Sequence, residues 1–304
     1  MKIGINGTGL VQKASVDAIQ RDAQRAADDG FSSYWLAEHP TGGFDALTVL
    51  ALVGQQVPDI ELGTAIVPTM PRHPMVLAGQ ALTTAAAIDH RLTLGIGLSH
   101  EPMMAQLGIG FDKPIRHLRE YLTILMALMR DGQADYQGET LSCQAEMFSK
   151  PVQHTPVMVA ALGPQALKVT GTLADGTSLA WVGPKTVSDH IAPRIRDAAA
   201  AAGRPEPRII ATLPVCVTDD PESVRTAIRR GLSMYGKLPS YRAMFEREGV
   251  DGPADVAIVG SAAEVQDRLN ALAEAGVSDF AASEFTRSPE ERAQTRTLLQ
   301  AQAA

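Results

Sequence analysis

The feature that most constrains this chain is a repeated alternation between short, wholly apolar runs and longer stretches with helical spacing. Lys2 to Asn6 reads as a strand. Ser15 to Asp29 then places Val16, Ile19, Ala23 and Ala26 on one helical face, with Ser15 as the cap and Gly30 as the stop. The same pair of signals recurs along the chain. Strands are predicted at Tyr34–Ala37, Ile60–Ile66, Leu92–Gly97, Pro156–Ala160, Ser178–Trp181, Ile209–Val217 and Asp279–Ala282. Helices are predicted over 45–56, 75–88, 116–130, 165–174, 186–202, 221–235, 239–248, 262–275 and 289–301. Apolar strands without polar alternation belong to a parallel sheet covered by helices on its outer face. About eight strand–helix repeats in 304 residues predict an α/β fold, a (β/α)8 TIM barrel with insertions in its βα loops. A doubly wound open sheet is the competing architecture. No composition shift marks a boundary, so residues 1–304 are expected to form a single domain.

Two stretches interrupt the rhythm. Residues 99–115 follow the fourth strand and so fall on the face where barrels carry their chemistry. Residues 136–155 precede the fifth strand and fall on the opposite face, as ornament or interface. Composition narrows the partners. The net charge of −7 is spread along the chain, which argues against nucleic acid or an anionic membrane. Two cysteines, Cys143 and Cys216, have no metal-ligand spacing. The seven histidines form no helical ligand pair, so no metal is expected. With no signal-peptide pattern and no long apolar run, the expected location is the cytoplasm.

The strand ends hold the candidate chemistry. Glu38-His39 follows the second strand, a carboxylate and an imidazole able to act as acid or base, or a salt-bridging Glu38 beside a His39 that caps the next helix. The third strand runs into Pro68, Pro71 and Pro74, which stiffen the rim. Gly95 and Gly97 share a face of the fourth strand, leaving space for a flat ring or for tight layer packing. After the fifth strand, Leu162-Gly163-Pro164-Gln165-Ala166 is a glycine turn into a helix. The free amides of Gly163, Gln165 and Ala166 suit an anion, or simply start a helix.

Taken together, these strings resemble the bacterial-luciferase-like superfamily, and within it the oxidoreductases that use the deazaflavin coenzyme F420 (the methylenetetrahydromethanopterin reductase-like and glucose-6-phosphate dehydrogenase-like branch). The resemblance rests on Leu62-Gly63-Thr64-Ala65-Ile66 with His73-Pro74, Arg91 to Gly97, Ala160 to Pro164 with Ala174-Asp175-Gly176, Ile258 to Val265, and Ala275 to Asp279. It spans nearly the whole chain. It implies hydride transfer between F420 and a small organic substrate, with FMN as the alternative cofactor. It places a non-prolyl cis peptide at Ala65–Ile66 behind the ring, Gly97, Leu98 and Ser99 along it, and Trp181 in the pocket lining. Leu162, Gly163, Pro164, Gln165 and Ala166 would hold the phosphate, and Glu38 and His39 would handle the proton. Two alternatives stay open, an FMN-dependent luciferase-like monooxygenase and a non-catalytic flavin-binding barrel.

The chain departs from the sugar-phosphate dehydrogenases of that branch. Ser99-His100-Glu101 stands where they carry Gly-Glu, and Lys185 is the one lysine near a strand end in the second half. A sugar-phosphate substrate is therefore not expected. The resemblance also implies a homodimer, for which the helix Val76–Ile88 offers small residues: Ala78, Ala81, Leu82, Ala85, Ala86 and Ala87.

Overall fold

Eight parallel strands close on themselves in the computed structural model, which describes residues 1–11 and 15–303. They are β1 (Lys2–Asn6), β2 (Ser33–Leu36), β3 (Glu61–Thr64), β4 (Leu92–Gly97), β5 (Val157–Val159), β6 (Gly176–Ala180), β7 (Arg208–Thr212) and β8 (Asp279–Glu284). β1 pairs with β2 on one side and with β8 on the other, Lys2 lying opposite Asp279, and that pairing shuts the barrel. The helices that cover it are α1 (Val16–Asp28), α2 (Ala46–Gln56), α3 (Pro74–Ala87), α4 (Pro114–Asp131), α5 (Pro164–Leu173), α6 (Ala192–Ala201, entered through a π-helical turn over Val187–Ile191), α7 (Ala262–Glu274) and α8 (Pro289–Ala303). The expected fold is the observed one.

Local sequence explains where these helices begin. Ser15 accepts a bond from the Ala18 amide at 3.2 Å, and Asp45 accepts one from Thr48 at 2.7 Å. Ser261 and Glu264 form a reciprocal capping box at the start of α7. Gly30, at φ 81°, takes the left-handed position just past α1 that a side chain would resist.

Three expectations need revision. The strand expected over 209–217 is two pieces. β7 stays in the barrel, whereas Pro214–Val217 pairs with the end of β8 and with an added strand, Ile258–Gly260. Proline at 214 has no amide to donate into a continuing ladder. The stretch 136–155 contains half of an antiparallel hairpin, Gln133–Gln137 against Ser142–Glu146. Its strands bury little, so their sequence lacks the apolar signal. The helix expected over 221–235 ends at Gly231. It belongs to the largest βα connection, the one after β7, which also holds a 3-10 turn (Tyr235–Lys237) and the helices Pro239–Glu248 and Pro253–Val256.

Inside the barrel, side chains stack in layers. At the amino-terminal end Arg208 bridges Glu61 (2.9 Å) and Asp279 (2.7 Å), and Thr93 donates to Glu61 at 2.6 Å. The middle layer is one apolar cluster of Trp35, Met158, Ile210 and Ala281. The filled lower layers make the barrel a packed core rather than a pore.

Candidate active site

Because successive strand residues alternate between the two faces, the next inward positions above the middle layer follow from its members. They are Ala37, Ala65, Gly97, Ala160, Ala180 and Thr212 from β2 to β7, and Ser283 on β8. All are small, and all but Gly97 are partly open to solvent, whereas the layer beneath is sealed. The carboxyl-end mouth is thus a shallow basin with a small-residue floor. Thr212 adds one polar point, since its Oγ1 is buried and has no hydrogen-bond partner among the described residues. A buried hydroxyl left unpaired is uncommon and marks a place where another group is wanted.

The β3 side of the basin carries the expected bend. The peptide bond between Ala65 and Ile66 is cis. Around it, the Ala65 amide bonds to the Leu36 carbonyl at 2.7 Å and the Ile66 carbonyl accepts from the Glu38 amide at 3.0 Å, which ties the bend to the end of β2. Thr64 Oγ1 donates to the Gly95 carbonyl at 2.7 Å and accepts from the Gly95 amide at 2.8 Å. Of the two readings of the β4 glycines, packing prevails at Gly95. A Cβ on Gly95 would lie 1.9 Å from the Thr64 carbonyl oxygen, and one on Gly97 would crowd Ile66 and Ala160 at 3.1 Å. These glycines make room for the bend, and the bend, with Ala65, shapes the floor.

Glu38 and His39 leave β2 side by side but do different things. One carboxylate oxygen of Glu38 pairs with Arg72, and the other accepts from the Ala46 amide at 3.2 Å. Arg72 also pairs with Asp45, which Gln80 reaches at 3.0 Å. Burial alone would raise the Asp45 carboxyl, yet the bonds from Thr48 and Gln80 and the nearby Arg72 bring it below its usual range. Glu38 is therefore a brace between the β2, β3 and α2 ends, with both oxygens engaged. His39 is half-buried, and no hydrogen bond from the described residues reaches its imidazole. It does not cap the next helix, because Asp45 does. Of the pair, His39 is the one whose side chain no described residue engages.

After β5 the chain turns at Gly163 into α5 with no side-chain cap, and Gly163, Pro164 and Gln165 are exposed. The amides of Gln165 and Ala166 fall in the first turn, where no carbonyl lies four residues back and the helix dipole favours an anion. A Cβ at Gly163 would meet no protein atom within 4 Å, so the turn is open from outside. Leu162 is held from behind: its carbonyl accepts a 2.7 Å bond from His190 Nε2, in the π-helical turn before α6. Leu98 and Ser99 follow β4 and Trp181 follows β6. Ser99 (φ 63°) and Trp181 (φ 62°) both adopt the left-handed conformation, which non-glycine residues seldom take outside special turns.

Of the rings that gather here, Trp181 was expected in the pocket lining, whereas Tyr235 and Tyr241 had no signal in the sequence. Trp181 stacks near Tyr235 (centroids 4.9 Å apart), Tyr235 meets Tyr241 edge-on (5.8 Å), and Tyr241 lies against His100 (5.4 Å). Burial lowers the pKa of His100 and raises those of Tyr235 and Tyr241, so these rings are uncharged near neutrality. Arg72 also went unread, since only the fold shows that it meets Glu38.

Two concavities away from the mouth offer less. One of about 560 Å³ lies between α4 and the hairpin and is lined by residues such as Ala127, Ala134 and Ala145. The other, about 620 Å³, has Arg292 and Arg296 on its wall, but Asp22, Glu284 and Asp29 already pair with them. Among the described residues no group of three His, Cys, Asp or Glu could hold a metal ion, and no helix is long and apolar enough to cross a membrane.

The model of the luciferase-like monooxygenase family matches residues 3–279. An F420-dependent glucose-6-phosphate dehydrogenase of Kineococcus radiotolerans is 28% identical over 211 residues, covering 65% of this chain and 63% of that protein. An uncharacterized protein of Mycobacterium tuberculosis is 28% identical over 255 residues, covering 76% of this chain and 74% of its own length. Among solved structures, the coenzyme F420-dependent tetrahydromethanopterin reductase of Methanopyrus kandleri superposes with a TM-score of 0.82 at 21% identity, covering 98% of this chain and 97% of that one. The oxygenating constituent of 3,6-diketocamphane monooxygenase from Pseudomonas putida, in complex with FMN, gives 0.77 at 17% identity, covering 100% and 98%.

Proposed function

The chain belongs to the luciferase-like monooxygenase family, and we propose that within it this protein is an F420-dependent oxidoreductase acting on a small organic substrate. The observation that carries this reading is the open basin at the barrel mouth. It has a floor of small residues from β2 to β7, and His39 stands at its edge with no bond from the described residues to its ring. A flat ring needs such a floor. Two-electron chemistry at that ring needs a proton-exchanging group near neutral pH, which an imidazole supplies. The curated relatives named as F420-dependent dehydrogenases favour the deazaflavin over FMN.

Residues of this chain divide the work as follows. Ala65, Ile66 and Gly97 would support the ring, Leu98 and Ser99 would line its edge, and Trp181 would close the pocket beside it. Leu162, Gly163, Pro164, Gln165 and Ala166 form the turn that would hold the cofactor phosphate, through the amides of Gln165 and Ala166. When bound, the deazaflavin supplies or takes up a hydride. His39 moves the accompanying proton at an imidazole nitrogen, and Glu38, through Arg72 and the Ala46 amide, fixes the loop that carries it. The packed layers below the basin keep water from entering through the barrel.

Titrating the purified protein with F420 and with FMN, followed by fluorescence, tests the reading. F420 is expected to bind with micromolar or tighter affinity and FMN more weakly. A clear preference for FMN would replace it with a flavin-dependent one. The assembly proposed is a homodimer formed through α2 and α3, neither of which carries an Asp, Glu, Lys or Arg.

A further inference from the structure

The four rings His100, Tyr241, Tyr235 and Trp181 come from three different connections on the carboxyl-end face. His100 follows β4, Trp181 follows β6, and the two tyrosines belong to the insertion after β7. β4 and β6 flank β5 in the barrel, so the chain of rings spans the rim from one neighbour of β5 to the other. Its links are centroid separations of 5.4, 5.8 and 4.9 Å, within the range of favourable aromatic pairs.

The arrangement is pinned rather than incidental. Glu248, at the end of the helix that starts after Tyr235, accepts from the amides of Lys185 (3.2 Å) and Thr186 (2.7 Å) in the connection after β6. Thr186 Oγ1 in turn donates to the Met244 carbonyl at 3.3 Å. A Cβ at Gly183 would lie 2.3 Å from the Glu248 carboxylate, so a side chain there would push aside the group that joins the two segments. The rings also retain surface: Tyr235, Tyr241 and His100 are half-buried. Among the charged residues on the same connections, Lys185 and Lys237 are exposed on the solvent side.

We infer that these four rings are the substrate-selecting wall of the basin, and that the substrate is a planar, uncharged, conjugated compound rather than a sugar phosphate. This rests on the proposed function only in assigning the floor to the cofactor and the wall to the substrate. Aromatic faces gain most from flat partners, because offset stacking adds to the area buried. A phosphate ester would lose its hydration against neutral rings without gaining a partner.

Equilibrium dialysis of the full chain against 2-acetylnaphthalene and against glucose 6-phosphate, each with and without F420, tests the inference. The naphthyl ketone should bind and the sugar phosphate should not. Tyr235→Ala and Trp181→Leu should each weaken the ketone by about 2- to 10-fold, the effect of one aromatic pair. Tyr235→Phe should stay close to wild type, and F420 affinity should change little in the two Tyr235 variants. The inference is overturned if the ketone does not bind, if glucose 6-phosphate binds better, or if Tyr235→Ala loses F420 and not the ketone. Tyr235 is half-buried, so its variants report even if Trp181→Leu fails to fold. Loss of F420 binding by the wild type would sink the proposed function, while the cofactor-free dialysis arms would still judge the wall.

Discussion

At the scale of single residues, His39 is the position where two physical roles make opposite predictions. A side chain that only capped α2 would contribute about 1 kcal/mol of stability and nothing to turnover. Asp45 already fills that role, with a 2.7 Å bond from Thr48. His39→Ala is therefore expected to leave the melting temperature nearly unchanged while lowering turnover about 10²- to 10⁴-fold, the usual contribution of a positioned acid or base. Melting and turnover measured on one sample check this, and an unchanged rate would remove His39 from the chemistry. The pair Glu38-His39 was legible in the sequence as a carboxylate beside an imidazole. Their division of labour was not, because it depends on Arg72, far along the chain. Gly95 shows the same limit. The shared face of Gly95 and Gly97 follows from strand periodicity, whereas the Thr64 carbonyl that fills the space beside Gly95 belongs to another strand.

At the scale of elements, the strands and helices of the barrel could be read because each carries its own periodic signal and its own cap. The hairpin Gln133–Gln137/Ser142–Glu146 could not, since its residues are mostly exposed and its turn is held by one side chain on α4. Glu120 accepts from the amides of Glu139 (3.0 Å), Thr140 (2.7 Å) and Leu141 (2.9 Å) and from Thr140 Oγ1 (2.6 Å). Burial would raise its carboxyl, but these bonds outweigh that and hold it down to about 2, against an ordinary 4.5. A depressed carboxyl contributes stability that is complete above its unfolded value and is lost as pH falls through the folded one. Glu120→Gln is thus expected to destabilise the protein by about 1–3 kcal/mol at neutral pH. The melting-temperature gap to wild type should narrow as pH drops from 4.5 toward 2. Hydrogen exchange should show the amides of 139–141 losing protection in the variant first. A gap independent of pH would mean that the hairpin is held by something else. The aromatic wall was equally hidden, because its rings are brought together only by the insertion after β7.

For the whole molecule, barrel closure was foreseeable from the strand count, and the pairing of β1 with β8 bears it out. The outer surface is where the first reading needs correcting. Ala78, Ala81 and Ala85, offered as contacts for a second subunit, are buried in their own chain against the barrel, at 0% exposure. The face of α3 left outside is Val76, Thr83 and Ala86, with Gly79 partly open. Val76 is 61% exposed, and Leu52 on the neighbouring α2 is 51% exposed. Helices that cover a barrel and meet water on their outer side ordinarily carry charges there. Two adjacent helices with none leave an apolar, small-residue surface that a second copy of the chain could cover through a self-complementary contact. Light scattering at working concentration is expected to give twice the chain mass. Placing an aspartate at the centre of that surface, in the double variant Leu52→Asp and Val76→Asp, would set like charges against each other across a twofold axis. Exposed side chains tolerate such changes in the monomer at a cost within about 0.5 kcal/mol each, so the variant should fold, bind cofactor and run as a monomer. If the wild type already has the mass of one chain, the charge-free face has no second copy on it and the homodimer is wrong. If the double variant stays dimeric, the contact lies on another face.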